Sequence, residues 1–156
     1  MAEPLRHPHM PPMTEFSLDP RLERDSAFAA DLPLCQVRVF NDERWPWLLL
    51  IPRVPGAVEL TDLTAKQRAT LMEEVVLADE AVLALGATFG RLPEKTNVAT
   101  LGNVVAQLHV HVIGRRADDP AWPRPVWNEG PARPYGEEIA LAVGAVRSAV
   151  GVLAEA

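Results

Sequence analysis

The chain has 156 residues, of which 48% are hydrophobic and 23% are charged, and its formal net charge at pH 7 is −6. This composition is typical of a soluble globular protein that is large enough to build a hydrophobic core within one domain. The acidic balance argues against nucleic acid as a partner, because sequence-independent binding to phosphate backbones needs a basic surface.

Cys35 is the only cysteine, so no disulfide can form within the chain. The start of the chain lacks the long apolar segment of a secretory signal. No apolar run approaches the roughly 20 residues that cross a bilayer. These features favour a cytoplasmic protein that keeps its thiol reduced and does not bind membranes.

Three regions are predicted along the chain. Residues 1–16 are rich in proline and predict a flexible N-terminal arm, whose His7 and His9 are explained more simply as incidental residues than as metal ligands. Residues 17–134 form the predicted domain. Residues 135–156 predict a C-terminal helix packed on that domain, although two glycines lower its helical propensity.

The first half of the domain predicts a short helix followed by a β-hairpin. Asp19 and Pro20 fit the N-cap and the first helical position of a helix that continues to about residue 30. Two apolar segments, 32–40 and 45–53, then predict antiparallel strands on either side of a polar turn.

A long helix is predicted over residues 65–85. Thr64 and Gln67 have the spacing of a capping box, and Gly86 fits a C-terminal stop. One helical face is apolar, with Leu71, Val75, Ala78 and Val82. We expect the acidic residues of this segment to lie on the solvated face: Glu73, Glu74, Asp79 and Glu80.

Two more strands are predicted over residues 95–101 and 104–116, joined by a turn at Gly102 and Asn103. A loop rich in proline and tryptophan follows over residues 117–134, and long ordered loops in compact domains are often functional. Two hairpins around one long helix predict an α+β fold with an antiparallel sheet.

The last predicted strand contains the segment QLHVHVI, residues 107–113. Side chains alternate between the faces of a strand, so Gln107, His109 and His111 are expected to share one face. The opposite face would pack on the core with three apolar side chains, Leu108, Val110 and Val112. Three neighbouring polar side chains need an explanation, because burying them without partners is costly.

Three explanations remain open at this point. The histidines are structural residues with satisfied hydrogen bonds, or they bind a metal such as zinc, which would need a third ligand that the sequence does not offer nearby. Alternatively, a neutral imidazole acts as a nucleophile toward phosphorus and forms a covalent intermediate.

The segment VVAQLHVHVIGRR resembles the signature of the histidine triad (HIT) family, His-φ-His-φ-His-φ-φ, where φ is apolar. Gly102 and Asn103 stand where that family usually has Gly-Gln. WLLLIPR is similar to the family's preceding strand, and Ala121-Trp122-Pro123 is similar to its C-terminal Trp-Pro. The resemblance covers about residues 33–127.

This resemblance implies a HIT-like α+β fold, with an antiparallel sheet of about five strands, one long helix and a C-terminal helix, in a homodimer. It implies a hydrolase or nucleotidyl transferase that acts on a purine nucleotide, either a nucleoside phosphoramidate or a dinucleoside polyphosphate, without a cofactor or a metal. In the family, the middle histidine attacks the α-phosphate, and water cleaves the resulting nucleotidyl-histidine.

The implied catalytic residues are His109 as nucleophile, held by the main-chain carbonyl of Gln107, with His111 and Gln107 beside the phosphate. Gln107 departs from the family pattern, which has histidine there. A glutamine amide forms hydrogen bonds but carries no proton or charge at neutral pH. The alternative is therefore a nucleotide-binding protein with little or no turnover.

The resemblance also implies substrate-binding residues outside the triad. Asn41 and Asp42 are candidates for the ribose hydroxyls, and Asn97 and Asn103 for the phosphate or the leaving group. Arg115 is a candidate to balance phosphate charge. Turn formation explains Asn41, Asp42 and Asn103 equally well.

Overall fold

The computed structural model describes residues 15–154, so His7, His9 and most of the predicted arm lie outside the described residues. Three α-helices are present: α1 Pro20–Asp25, α2 Ala65–Thr88 and α3 Ile139–Ala154. Five strands are present: β1 Ser26–Asp31, β2 Cys35–Phe40, β3 Trp47–Pro52, β4 Lys95–Thr100 and β5 Val110–Arg115. Within the described part of the chain, no helix combines the length and the apolar character needed to cross a bilayer.

The strands form one antiparallel sheet in the order β1-β2-β3-β5-β4. The predicted α+β fold with about five antiparallel strands is therefore confirmed. Helix α2 begins as predicted, because the Thr64 side chain accepts from the Gln67 N–H and the Gln67 side chain accepts from the Thr64 N–H. It continues past the predicted stop at Gly86, where a side chain would collide with Pro93 and with the main chain of Arg91.

Two predicted elements differ from the structure. The first helix ends at Asp25, because residues Ser26–Asp31 instead pair with β2 and bury Ala29 in the core; helix propensity is a weak preference that such tertiary pairing overrides. The expected tight turn between the last two strands is a longer connection, residues 101–109, which we call the triad loop. The triad loop does not pair with β4, because the Leu108 N–H donates instead to the carbonyl of Ala57, at 2.9 Å.

One face of the sheet packs on α2 and α3. The predicted apolar stripe of α2 is buried there, together with Val110 and Val112 of β5 and with Ala142 and Val146 of α3. Glu74 corrects the expectation of a fully solvated acidic face: it is buried, and its carboxylate accepts from the N–H groups of Leu34 and Cys35 at 2.7 and 2.8 Å.

The other face carries His111 of β5 and His109 just before that strand, and short segments rather than long helices cover it. The apolar side chains of this sheet face and of the segments that cover it form one cluster, which we call the histidine-side layer. Its buried members are Leu22, Trp45, Trp47, Leu49, Ile51, Ile113, Ala121 and Val126. Strand β3 is buried on both faces, as its continuous apolar run predicts. The candidate site lies at the start of β5, next to this layer.

Candidate active site

His109 immediately precedes β5 and has a defined tautomer. Its Nδ1 lies 2.6 Å from the main-chain carbonyl of Gln107, so the expected hydrogen bond is present. A carbonyl only accepts, so Nδ1 must carry a proton and donate it, which leaves Nε2 as the ring nitrogen available for chemistry. His109 is 5% exposed, and this hydrogen bond holds its imidazole in one orientation.

His111 lies beside His109, with ring centroids 4.9 Å apart. The indole N–H of Trp47 donates to Nδ1 of His111 at 3.0 Å, so the proton of the neutral ring lies on Nε2. That Nε2 is buried and has no hydrogen-bond partner among residues 15–154. Burial first, and then the neighbouring His109, lower the pKa of His111 to about 3, and the main chain at Leu101 opposes this only in part. His111 therefore remains a neutral N–H donor at physiological pH.

The depressed pKa of His111 predicts a loss of stability in acid. An unfolded histidine binds a proton near pH 6.5, whereas folded His111 resists protonation until about pH 3. The unfolded state therefore binds more protons between these values, and unfolding becomes easier by up to about 1.4 kcal/mol per pH unit as the pH falls. Urea unfolding of the wild type and of His111→Gln, whose amide oxygen still accepts from Trp47, measures this difference from pH 7 to 4. Parallel stability curves for the two proteins would contradict the prediction.

A small cavity of about 130 Å³ adjoins His109. Its walls come from the triad loop and from the segment after β3: Val58, Glu59, Thr100, Leu101, Gly102, Asn103, Gln107, Leu108 and His109. Asn103 is therefore brought into the same cavity wall as His109. Besides His109, Glu59 is the only acidic or basic side chain among these described walls. The cavity has room for a phosphoryl group but lacks a fixed cation.

The side chain of Gln107 bonds to the N-terminal segment. Its Oε1 accepts from the Asp19 N–H, and its Nε2 donates to the carbonyl of Ser17, each at 2.8 Å. Both ends of the amide are thus engaged with the main chain of the same neighbouring segment.

Asn41 and Asp42 are not brought close to His109. They follow the last residue of β2, at the same end of the sheet as the last residue of β5. His109 lies at the opposite end, where β5 begins. Asn41 accepts from the Tyr135 N–H at 2.9 Å, and buried Asp42 pairs with Arg44 at 2.8 Å. In the structure both side chains hold the turn and the C-terminal loop.

Asn97 and Arg115 belong to a second polar cluster at the far end of β5. Arg115 is buried and donates to Asp119 at 2.7 Å, to Oδ1 of Asn97 at 2.7 Å and to the carbonyl of Arg124 at 2.8 Å. The guanidinium thus fixes the tryptophan-rich loop to the sheet, and its donors are directed to that loop and to β4.

Three contributors to the site were not found from the sequence: the Trp47 indole, Glu59, and the segment of residues 17–21. Each approaches the histidines only through tertiary contacts; Trp47 and His111 are 64 positions apart. Gly102 and Asn103, which the sequence predicted as a turn, do lie in the cavity wall. Among the described residues, no group of three or more His, Cys, Asp or Glu side chains is arranged to hold a metal ion.

Comparison with known proteins supplies a family. A family model described as "HIT domain" matches residues 21–118. A histidine triad protein from Sinorhizobium meliloti has a solved structure with 44% identity and a TM-score of 0.77, covering 87% of this chain and 98% of its own.

Two further solved structures are similar. A histidine triad protein from Bradyrhizobium japonicum shares 42% identity with a TM-score of 0.79, covering 87% of this chain and 98% of its own. One from Marinobacter aquaeolei shares 38% identity with a TM-score of 0.80, covering 89% and 98%. A search of curated proteins finds no match. The family model spans more than half of the chain, and the three structures cover most of it, so this protein belongs to the HIT domain family.

Proposed function

We propose that this protein is a nucleotide hydrolase or nucleotidyl transferase that works through a covalent nucleotidyl-histidine. Membership of the HIT family suggests nucleotide binding or activity of this class. The observation that carries the proposal is the geometry of His109, whose Nδ1–H is held by the Gln107 carbonyl while Nε2 remains free beside a cavity.

The reaction proceeds in two displacements at the α-phosphorus of a purine nucleotide. The Nε2 lone pair of His109 forms a bond to phosphorus, and the leaving group departs with the electrons of its own bond to phosphorus and takes up a proton. Water, or another acceptor with an O–H group, then attacks the same phosphorus and loses a proton to solvent, which balances the proton taken up by the leaving group. The bond between phosphorus and Nε2 breaks, its electron pair returns to Nε2, and the nucleotide is released. His111 is not among the cavity walls, and its ring lies beside that of His109, so we assign its buried Nε2–H a supporting role next to the nucleophile rather than a direct contact with the phosphoryl oxygens.

Glu59 favours one of the two substrate classes. A phosphoramidate releases an amine, which becomes cationic when protonated, whereas a dinucleoside polyphosphate releases a multiply charged anion. A carboxylate in the cavity wall attracts the first product and repels the second. The nucleoside phosphoramidate is therefore the better-supported substrate.

A second candidate function is nucleotide binding with little or no turnover. Two observations favour it: the side chain of Gln107 is already bonded to the main chain at Ser17 and Asp19, and the expected ribose ligands Asn41 and Asp42 are engaged elsewhere.

Turnover measurements separate these functions. The wild type is incubated with a fluorogenic adenosine phosphoramidate and with diadenosine polyphosphates, with and without a chelator. Faster cleavage of the phosphoramidate, unaffected by the chelator, supports the hydrolase. Saturable AMP binding with no cleavage of any substrate supports the binding protein, and activity that is lost with chelator and restored by zinc would contradict both.

We also propose that the protein forms a homodimer through β4. This strand is an edge of the sheet, and Val98 on it is half-exposed beside an apolar groove of about 480 Å³ that includes Leu71, Met72 and Val75 of α2. An exposed edge strand next to an apolar surface is a ready site for pairing with another strand.

Val98→Lys is therefore expected to convert the dimer to a monomer, because it places a charge in the apolar contact. Val152→Lys, on the exposed surface of α3 outside the groove, is the matched control. Sedimentation velocity at several protein concentrations measures both variants. A wild type that is monomeric throughout, or a Val98→Lys variant that stays dimeric, would overturn the proposed interface.

A further inference from the structure

The residue at the first triad position is tied to the N-terminal segment. We call residues 17–21 the strap. We propose that Gln107 is a positioning residue, whose side-chain amide ties the strap to the triad loop and thereby holds the carbonyl that orients His109. This inference rests on the proposed role of His109 as nucleophile.

The chemistry of the amide matches its partners. The strap presents an N–H at Asp19 and a carbonyl at Ser17, two residues apart, and both distances to the amide are 2.8 Å. A primary amide carries its acceptor and its donor side by side, so one group satisfies both. The two nitrogens of an imidazole point in diverging directions, so a histidine here would meet only one of these partners well.

A third contact joins the same two segments. Arg21 donates from Nη1 to the carbonyl of Val104 at 2.9 Å, and its Nε and Nη2 bind the Asp19 carboxylate at 3.1 and 3.0 Å. The Asp19 carboxylate also caps α1 by accepting from the Arg21 N–H at 2.8 Å. The strap is therefore a defined structure that contacts the triad loop at both Val104 and Gln107.

Apolar packing holds the strap against the sheet. Leu18 packs against the histidine-side layer, and so does Phe16 just before the strap. Leu22, in the first turn after it, is buried in the same layer. The strap is thus fixed independently of the triad loop, so it can restrain Gln107 rather than merely follow it.

The triad loop needs such a restraint. Residues 101–109 lie outside the strands, so no ladder holds them, although the Leu108 N–H is anchored to Ala57. The same residue, Gln107, bonds to the strap through its side chain and to His109 through its carbonyl. Releasing the side chain frees that carbonyl to move, and the imidazole loses its single orientation.

Two pairs of variants test this role from opposite sides. Gln107→Met keeps the length of the side chain but loses both hydrogen bonds, and Gln107→Glu keeps only the acceptor for the Asp19 N–H. On the strap, Asp19→Pro removes the N–H donor at a residue whose φ of −59° suits proline. Asp19→Ala is its matched control, because it loses the same carboxylate but keeps the N–H.

We expect Gln107→Met to lower kcat by about 10- to 100-fold with less than about a threefold change in KM, because a misplaced nucleophile loses rate rather than binding. Gln107→Glu is expected to lie between Gln107→Met and the wild type. Asp19→Pro is expected to lower kcat about tenfold relative to Asp19→Ala.

A second readout does not depend on activity. Nitrogen-15 NMR of the histidine rings is expected to show one Nδ1–H tautomer for His109 in the wild type, and a mixture of tautomers in Gln107→Met. A wild type without turnover, together with this change of tautomer, would reject the proposed hydrolase but keep the positioning role. An unchanged tautomer in Gln107→Met, or a loss of activity that lies in KM, would overturn the inference and place Gln107 among the substrate ligands.

Discussion

His109→Ala is expected to lower turnover of an adenosine phosphoramidate by about 10⁴-fold or more, because removing a covalent nucleophile disables a catalytic group that acts together with its neighbours. The substitution removes the only free ring nitrogen that adjoins the cavity and leaves Gln107, Asn103 and the cavity walls in place. AMP binding is expected to change by less than about tenfold, because little of it depends on the imidazole.

Intact-mass measurement of the quenched protein provides the direct check. The wild type is expected to gain the mass of one AMP group during turnover, and His109→Ala is expected to gain none. Imidazole added to the variant should restore part of the activity, since the truncated side chain leaves space for a free ring. Turnover within tenfold of the wild type, or an adduct on another residue, would reject His109 as the nucleophile.

Arg115→Met is expected to lower the free energy of unfolding by about 3–5 kcal/mol, because removing one partner of a buried ion pair leaves the other charge uncompensated. The side chains of Arg115 and Asp119 are 2% and 6% exposed. Asn97 and the carbonyl of Arg124 also lose their donor. Chemical denaturation at neutral pH measures the loss.

The neighbouring residue is the control. Arg116 pairs with Asp118 at 2.8 Å, almost the same distance as in the buried pair, but these side chains are 34% and 70% exposed. Exposed pairs contribute about 0–1 kcal/mol, so Arg116→Met is expected to change stability by less than about 1 kcal/mol. Equal effects of the two substitutions would show that burial of Arg115 does not determine its contribution.

The effect of Arg115→Met should also depend on pH. Burial raises the pKa of Asp119, but the hydrogen bonds from Arg115 and from the main chain at Arg116 and Ala121 outweigh it, so this pKa lies below the usual value of an aspartate. A carboxylate with a lowered folded pKa stabilises the protein above its unfolded pKa, near 3.9, and this contribution disappears as the pH falls below that value. The difference between wild type and variant is therefore expected to narrow on acidification. A constant difference down to pH 3 would contradict this origin.

Local patterns in the sequence were sufficient for the fold class and for the face of the sheet on which His109 lies. The capping residues Thr64 and Gln67, and the apolar stripe of α2, involve residues a few positions apart, so their spacing predicts their contacts. The alternation around His109 likewise places Leu108 and Val110 in the core and the imidazole on the opposite side. The hydrogen bond from His109 to the Gln107 carbonyl was expected from the resemblance to the HIT family and not from the spacing of the residues.

Tertiary structure decided which polar residues surround that nucleophile. Gln107 meets Ser17 across 90 positions, and Asn41 meets Tyr135 across 94, so no local spacing reveals either pairing. Arg115 follows the triad closely in the chain. The backbone of a strand is extended, however, so a few residues place Arg115 at the far end of β5, where its side chain is buried. The sequence by itself determined most of the elements and the face on which His109 lies, because those depend on periodicity within one segment. The partners of each polar group depend on strand register and on how loops close over the sheet, which only the folded chain establishes.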